Sequence, residues 1–303
     1  FIGKNFILYL LKNKSNYKIY TSSRKKKLMI DSKDEIFFKK VNFIHSNLRN
    51  LKINDLKFEI IFHFAYDTSK KPSDHFSSNH DETFLELINL RKIVLESKCK
   101  KLIFLSSGAV YNNVKGAYSE DKYLPLNFQN KNDHLAIIKF YTENFIWSLK
   151  EEGINIKILR IFGIFGPYMR IDSQLIINKI IFDLLDKKKS RFDSNLNFVR
   201  NYIYVEDLVS IIYILLDNTD NLILNIGNKN FKLINLVNKL KRSHNFKYTL
   251  TNKNVEFRKD YKPDLKLMQH YIENFKFHSF NKALNLTLDW YKNFKSKSFK
   301  SIN

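Results

Sequence analysis

What most constrains the fold of this chain is an alternation. Short runs rich in β-branched and aromatic residues, Tyr17 to Thr21, Val41 to Ile44, Ile60 to Phe64, Leu102 to Leu105 and Ile156 to Ile161, are separated by longer segments of helical character. Runs this short suit strands covered on both faces, which is how the strands of parallel sheets are usually composed. Asn79 to Ser97 and Asp133 to Glu151 are long enough for helices, and Phe84, Leu87, Ile88 and Leu95 repeat at helical spacing. Parallel neighbours need a crossover between them, so the pattern predicts repeated βα units and a doubly wound α/β fold. After Gly166-Pro167 the alternation loosens. We therefore expect a doubly wound domain over residues 1–166 and a smaller, mixed lobe over 167–303, some segments of which return to the sheet. No internal repeat or low-complexity linker interrupts this plan.

Composition bears on what such a globule can do. The 303 residues carry 52 Lys+Arg against 30 Asp+Glu, a formal net charge of +22. A charge of that size suits nucleic acid, anionic membranes or anionic small molecules. The lysines are spread along the whole chain, and only Arg24-Lys25-Lys26-Lys27 and Lys187-Lys188-Lys189 form compact clusters. That scatter argues against a dedicated nucleic-acid site and leaves anionic substrates as the fitting partner. The lone cysteine, Cys99, excludes an internal disulfide and any multi-cysteine metal centre. The longest apolar stretch, Ser210 to Leu216, is far too short to span a bilayer. We expect no membrane association and a soluble, cytoplasmic protein, although the chain starts at Phe1 without a methionine and a removed leader would leave no trace.

Several motifs stand in one order along the chain. Gly3 opens the helical pattern Lys4 to Lys12. The strand Lys18 to Thr21 runs into Ser22-Ser23-Arg24-Lys25, and Ser46-Asn47-Leu48-Arg49 and Phe62-His63-Phe64-Ala65 follow two further strands. Asn79 stands four residues before Thr83. Phe104-Leu105-Ser106-Ser107-Gly108-Ala109-Val110-Tyr111 is an apolar strand ending in paired serines. Lys139 and Glu143 lie on one face of a helix. Arg160-Ile161-Phe162-Gly163-Ile164-Phe165-Gly166-Pro167, then Val199-Arg200-Asn201-Tyr202-Ile203-Tyr204-Val205-Glu206-Asp207-Leu208, Asn225-Ile226-Gly227 and Thr287-Leu288-Asp289-Trp290-Tyr291 complete the series.

Taken together, these segments resemble, across nearly the whole chain and in the right order, the extended short-chain dehydrogenase/reductase family. Its members are NAD(P)-dependent nucleotide-sugar epimerases, dehydratases and reductases. The resemblance implies a Rossmann-like domain with NADP or NAD as cofactor. The absence of an acidic residue after the second strand, with Arg24 there instead, favours NADP. It implies cofactor contacts at Gly3, Arg24, Asn47, Leu48, Phe64, Ala65, Asn79 and Lys139. It implies substrate contacts at Ser107, Gly163 and Arg200, with Arg200 on the diphosphate and a second phosphate-binding cation, Arg258 or Lys262, further along. Gly163 replaces an asparagine common in the family. Ser107 would hold the reacting sugar oxygen, and catalysis would rest on Ser107 and Lys139. His63 lies inside a strand and reads as a packed side chain. A nucleotide-sugar is the implied partner, and a homodimer formed through the two long helices is implied as well.

Two departures qualify the resemblance. The first strand and the glycine-rich turn are missing ahead of Gly3. The family's catalytic tyrosine, four residues before the lysine, is Leu135 here. Leucine cannot exchange a proton, and His134 is turned about 100° away on the helix. The expected activity is epimerisation or keto-sugar reduction, with dehydration less favoured because Ser107-Gly108-Ala109 carries no acidic pair. The alternative is a family member that binds a dinucleotide or nucleotide-sugar without turnover.

Overall fold

A computed structural model describes residues 1–13, 16–24, 30–64, 78–112, 117–122, 133–170, 175–192, 195–251 and 260–298, with the side chains of 78–81 and 295–298 set aside. In chain order the first half runs α1 (Ile2–Lys12), β1 (Tyr20–Ser23), α2 (Glu35–Phe38), β2 (Asn42–His45), β3 (Ile60–His63), α3 (Ser78–Glu96), β4 (Lys101–Ser107), α4 (His134–Ser148) and β5 (Asn155–Ile161). The second half adds β6 (Ile164–Phe165), α5 (Ile176–Leu185), β7 (Ser190–Phe192), β8 (Val199–Tyr204), α6 (Val205–Ile214), β9 (Leu222–Ile226), β10 (Lys229–Lys232), α7 (Leu233–His244), β11 (Tyr248–Leu250), α8 (Lys266–Tyr271) and α9 (Phe280–Ser298).

The main sheet is parallel, in the order β3-β4-β5-β9. Its strands are apolar on both faces, as a sheet sandwiched between helices requires. Leu102, Phe104, Ile156 and Ile158 meet Leu87, Leu90 and Val94 of α3 and Ile146 of α4 in one cluster. Ile103, Leu105, Leu159 and Ile161 fall into the other, with Phe6 and Leu10 of α1 and Leu208, Ile211 and Ile212 of α6. Successive residues thus serve opposite layers, the period-two rule of a pleated strand. The doubly wound α/β class expected from the alternation is the fold observed. β9, from the second half of the chain, pairs with β5 and so returns to this sheet.

β1 and β2 form a separate parallel pair, Tyr20 opposite Asn42 through Ser23 opposite His45. No hydrogen-bonded pairing among the described residues joins that pair to β3, and no described strand precedes α1. Two strand boundaries differ from expectation. β1 begins three residues later than the apolar run, because pairing with β2 sets the register and Tyr17 stays in solvent. β4 extends through Ser106 and Ser107, since β5 pairs with it as far as Ile161.

From the second half of the chain, α5, α6, α7 and α9 bring side chains into the same cluster as β8 and β9. β8 lies between antiparallel β10 and parallel β6. This places Arg200 beside the loop that follows β5. The approach requires glycine at Gly163, where a Cβ would come within 2.3 Å of the Asn201 carbonyl.

Candidate functional site

Parallel strands deliver all their C-terminal ends to one edge, which is where ligands of open α/β sheets sit. β4 ends there with two serines, and the pleat sends them different ways. Ser106 is buried and donates to Glu143 of α4. Glu143 accepts a bidentate pair from Arg160, at 3.1 Å from Nε and 2.7 Å from Nη2. Arg160 is fully buried and also donates from Nη1 to the Tyr111 hydroxyl at 2.8 Å and to the Glu120 carbonyl at 3.2 Å. The Tyr111 hydroxyl donates to Asn225 at 2.7 Å, and the Asn225 amide N–H donates to the Glu120 carboxylate at 2.7 Å. This knot ties α4, β4, β5 and β9 together, with its charges paired and hydrogen-bonded as burial demands. Burial pushes the Tyr111 hydroxyl up to about 12, and pushes the Glu120 carboxyl up as well.

Ser107, on the other side, is half-buried and caps the short turn that follows, accepting from the Ala109 amide at 3.2 Å. Its side chain also engages the hydroxyl of Tyr261. Tyr261 lies over Gly108 so closely that a Cβ there would stand 2.7 Å from the phenolic oxygen and 2.8 Å from the Phe162 ring. The Tyr261 and Phe162 rings are 4.7 Å apart, and Tyr118 meets Tyr261 edge-on at 5.8 Å. The Tyr261 amide donates to the Val199 carbonyl at 3.0 Å, and a β-bridge pairs Tyr261 with Arg200. Burial raises the Tyr261 phenol, while the Ser107 hydrogen bond and the Arg200 charge act in the opposite direction. The Arg200 guanidinium is 4.4 Å from the Phe198 ring and 6.0 Å from that of Tyr261, and it donates to the Val199 carbonyl at 2.8 Å.

Lys139 comes from α4 and is buried, its ammonium 5.7 Å from the Phe104 ring centroid. Burial lowers it to about 8, with the Glu143 charge, one helical turn on, pulling the other way. His63, at the end of β3, stacks on the opposite neighbour Phe104 at 5.3 Å. Burial, aided by the Lys139 charge, lowers it to about 4, so it is a neutral packed ring. Leu135 sits on the first turn of α4, partly exposed, and brings no polar atom to this edge. Tyr141 points to solvent, and Tyr111 is committed to the buried knot.

Besides Lys139, the residues expected on a dinucleotide that are described follow β1, β2 and β3 or lie in the first turns of α1 and α3. Arg24 follows β1, and its carbonyl accepts from His45 at 3.1 Å. Asn47 caps the turn after β2 by accepting from the Asn50 amide at 2.9 Å, and Asn89 of α3 pins that turn by donating to the Leu48 and Leu51 carbonyls. Phe64 follows β3 and packs edge-on to Phe6 at 5.6 Å. The start of α1 is partly buried and lies near the charges of Lys4 and Arg170, a setting that suits a pyrophosphate at a helix N-terminus. Gly3 lies on this first turn, and a Cβ there would meet only Phe64, at an ordinary 3.9 Å. The residues present therefore fit a dinucleotide. Asn79 lies in the first turn of α3, while Ala65 and Arg258 fall outside the described residues. Gly163 is tightly packed, as above, and its carbonyl accepts from the Ile203 amide at 2.8 Å.

Sequence reasoning missed Tyr261, Tyr118, Phe162 and Glu120. Tyr261 stands in a segment with no periodicity, and its place beside Ser107 comes from a bridge to a strand 61 positions away. No local signal marks it.

Known proteins share this fold. The profile of the NAD dependent epimerase/dehydratase family matches residues 1–227. ADP-L-glycero-D-manno-heptose-6-epimerase of Brachyspira hyodysenteriae is 27% identical over 171 residues, covering 52% of this chain and 50% of that protein. dTDP-D-glucose 4,6-dehydratase of Dictyostelium discoideum is 27% identical over 256 residues, covering 78% of this chain and 58% of the relative. The chain thus spans about half the length of the curated relatives it matches. Among solved structures, a Tyr-to-Phe variant of UDP-glucuronic acid 4-epimerase from Bacillus cereus, in complex with a fluorinated UDP-sugar and NAD, superposes with a TM-score of 0.79 at 20% identity, over 96% of each chain. The NAD-dependent NDP-hexosamine 5,6-dehydratase TunA does so at 0.79 and 17% identity, over 96% of this chain and 94% of its own. A βα frame, a serine at the end of its central strand and a profile match over most of the length lead to one conclusion: the chain belongs to the NAD-dependent epimerase/dehydratase family.

Proposed function

We propose that this chain acts on a nucleotide-linked sugar by NAD(P)-dependent hydride transfer at a sugar carbon, as an epimerase or keto-sugar reductase. The observation that carries this reading is Ser107 at the C-terminal end of β4, with Lys139 buried behind the same strand and Arg200 on β8, 6.0 Å from the ring of Tyr261. Ser107 would hold the reacting oxygen, Lys139 the cofactor ribose, and Arg200 the substrate diphosphate. A nicotinamide dinucleotide, when bound, supplies the hydride chemistry. Arg24 favours NADP over NAD. Gly3, Asn47, Leu48, Phe64, Ala65 and Asn79 complete the cofactor side of this reading, and Gly163 and Arg258 the substrate side.

The relatives support the substrate class through their names, which are those of enzymes acting on nucleotide-sugars. The exposed apolar residues Phe84, Leu85 and Ile88 of α3 and Tyr141 of α4, with Phe84 and Tyr141 5.9 Å apart, support a homodimer through these helices. No described helix is long and apolar enough to cross a membrane. We place the protein in the cytoplasm.

The test is turnover of UDP- and dTDP-sugars and their keto derivatives with NAD(H) or NADP(H). Ser107→Ala should lower the rate by about 10²–10³-fold, as loss of an oxyanion-type donor does, with the unfolding midpoint unchanged. A second reading rests on Leu135, which leaves the usual proton-transfer position without a hydroxyl: the chain binds these ligands without turnover. Measurable turnover by the unaltered chain would sink that reading. Ligand binding without turnover, with activity appearing in Leu135→Tyr, would establish it.

A further inference from the structure

The phenol absent at Leu135 has a counterpart arriving from the other side of the site. Tyr261 is held between the two residues that bracket a nucleotide-sugar in the reading above. Its hydroxyl engages Ser107, and its backbone bridges to Arg200. Gly108 makes the approach possible, because any side chain there would collide with the phenolic oxygen and with Phe162. Phe162 and Tyr118 wedge the ring from two directions, so the hydroxyl is fixed against the serine by packing. Tyr111, the other phenol of the serine turn, is unavailable because its hydroxyl is taken up by Arg160 and Asn225.

We propose that Tyr261 is the proton donor to the sugar oxygen held by Ser107, in place of the residue at 135, and that this suits the site to reducing a keto-sugar. The inference rests on the nucleotide-sugar reading. In the step, the carbonyl carbon of the sugar accepts a hydride from a reduced nicotinamide and forms its new C–H bond. The π pair of the C=O moves onto oxygen, and that oxygen takes the Tyr261 proton. Tyr261 is left as phenolate and regains a proton from water; the sugar is reduced and the nicotinamide oxidised. Burial keeps the phenol protonated in the resting site, the form a proton donor needs.

The experiment uses the full chain with NADPH and NADH and dTDP-4-keto-6-deoxyglucose or its UDP counterpart, read by single-turnover loss of the reduced-nicotinamide absorbance. Alongside it, calorimetry compares affinity for the keto-sugar nucleotide with affinity for dTDP or UDP alone. Tyr261→Phe should slow hydride transfer by about 10²–10³-fold, the range for a general acid. It should weaken the keto-sugar nucleotide by about tenfold and leave dTDP or UDP unchanged. Gly108→Ala, which displaces the phenol without deleting it, should act in the same direction. Leu135→Tyr in the Tyr261→Phe background should recover part of the rate. Wild-type rate and affinity in Tyr261→Phe would overturn the proposal, as would equal loss for the sugar nucleotide and the bare nucleotide. Binding of the keto-sugar nucleotide without turnover in the unaltered chain would also overturn it, while leaving the site assignment intact. Failure of the unaltered chain to bind any of these nucleotides would instead remove the nucleotide-sugar reading, and this inference with it.

Discussion

Ser106 and Ser107 are adjacent on β4, and their surroundings differ in kind. Ser106 belongs to a closed knot in which Glu143, Arg160, Tyr111 and Asn225 find their partners inside the protein. Ser107 is half-buried on a shelf of Tyr261, Phe162 and Gly108, with Arg200 beyond. Both regions contain an arginine, a tyrosine and a serine, so residue type does not separate them. Closure does. A polar group satisfied by its neighbours stabilises one arrangement of the chain, whereas one left facing a gap can exchange partners with a ligand. The two arginines differ in setting: Arg160 is fully buried against Glu143, whereas Arg200 is half-buried, donating to the Val199 carbonyl and lying over the Phe198 ring.

Substitutions can sharpen or break that contrast. The largest effect is expected at Glu143: Glu143→Gln strips the buried Arg160 of its counter-charge and should cost about 3–5 kcal/mol in urea-induced unfolding. Adding Arg160→Met to Glu143→Leu should recover most of that, since an apolar pair carries no desolvation penalty. If Glu143→Gln were no more damaging than Ser107→Ala, the division into knot and shelf would fail. Next comes His63, beneath Lys139. Its folded value, about 4, lies below the ordinary 6.5, so between those values the unfolded chain holds more protons and acid favours unfolding. The wild type should lose about 2 kcal/mol as pH falls from about 6.5 to 4, discounted because the ring is not wholly shielded, and His63→Phe should flatten that limb in pH-dependent melts. The smallest effect belongs to Ser106→Ala, at about 1 kcal/mol, because Glu143 keeps its two bonds to Arg160. A rate defect in Ser106→Ala as large as that in Ser107→Ala would erase the contrast.

Much of this arrangement was legible in the residues. Strands covered on both faces leave dense apolar runs, so β3, β4 and β5 could be read directly, and co-linear motifs brought Ser107 and Lys139 to one sheet edge. β1 was read three residues early because its position is set by pairing with β2, a long-range choice that no local run records. The knot was half visible: Glu143 and Arg160 stand in recognisable motifs, but their pairing depends on a helix meeting a strand. Tyr261 was not legible at all. It is one of 16 tyrosines, in an aperiodic segment, and the glycine that admits it looked like an ordinary turn residue.

The separation of β1 and β2 from the main sheet divides the ligand edge into parts of unequal rigidity. Among the described residues these two four-residue strands pair with each other alone, a marginal ribbon held by contacts such as the Lys12–Asp34 ion pair and the grip of Asn89 on the turn after β2. β4, by contrast, is paired along its full length with β5. The ribbon is therefore the unit that opens at low free energy, and it carries Arg24 and Asn47, whereas Ser107 and Lys139 ride on the part that opens last. A dinucleotide bound as proposed, across both, would still the ribbon, so part of its intrinsic affinity would be spent on ordering, and whatever steadies β1 and β2 beforehand would tighten it without touching it.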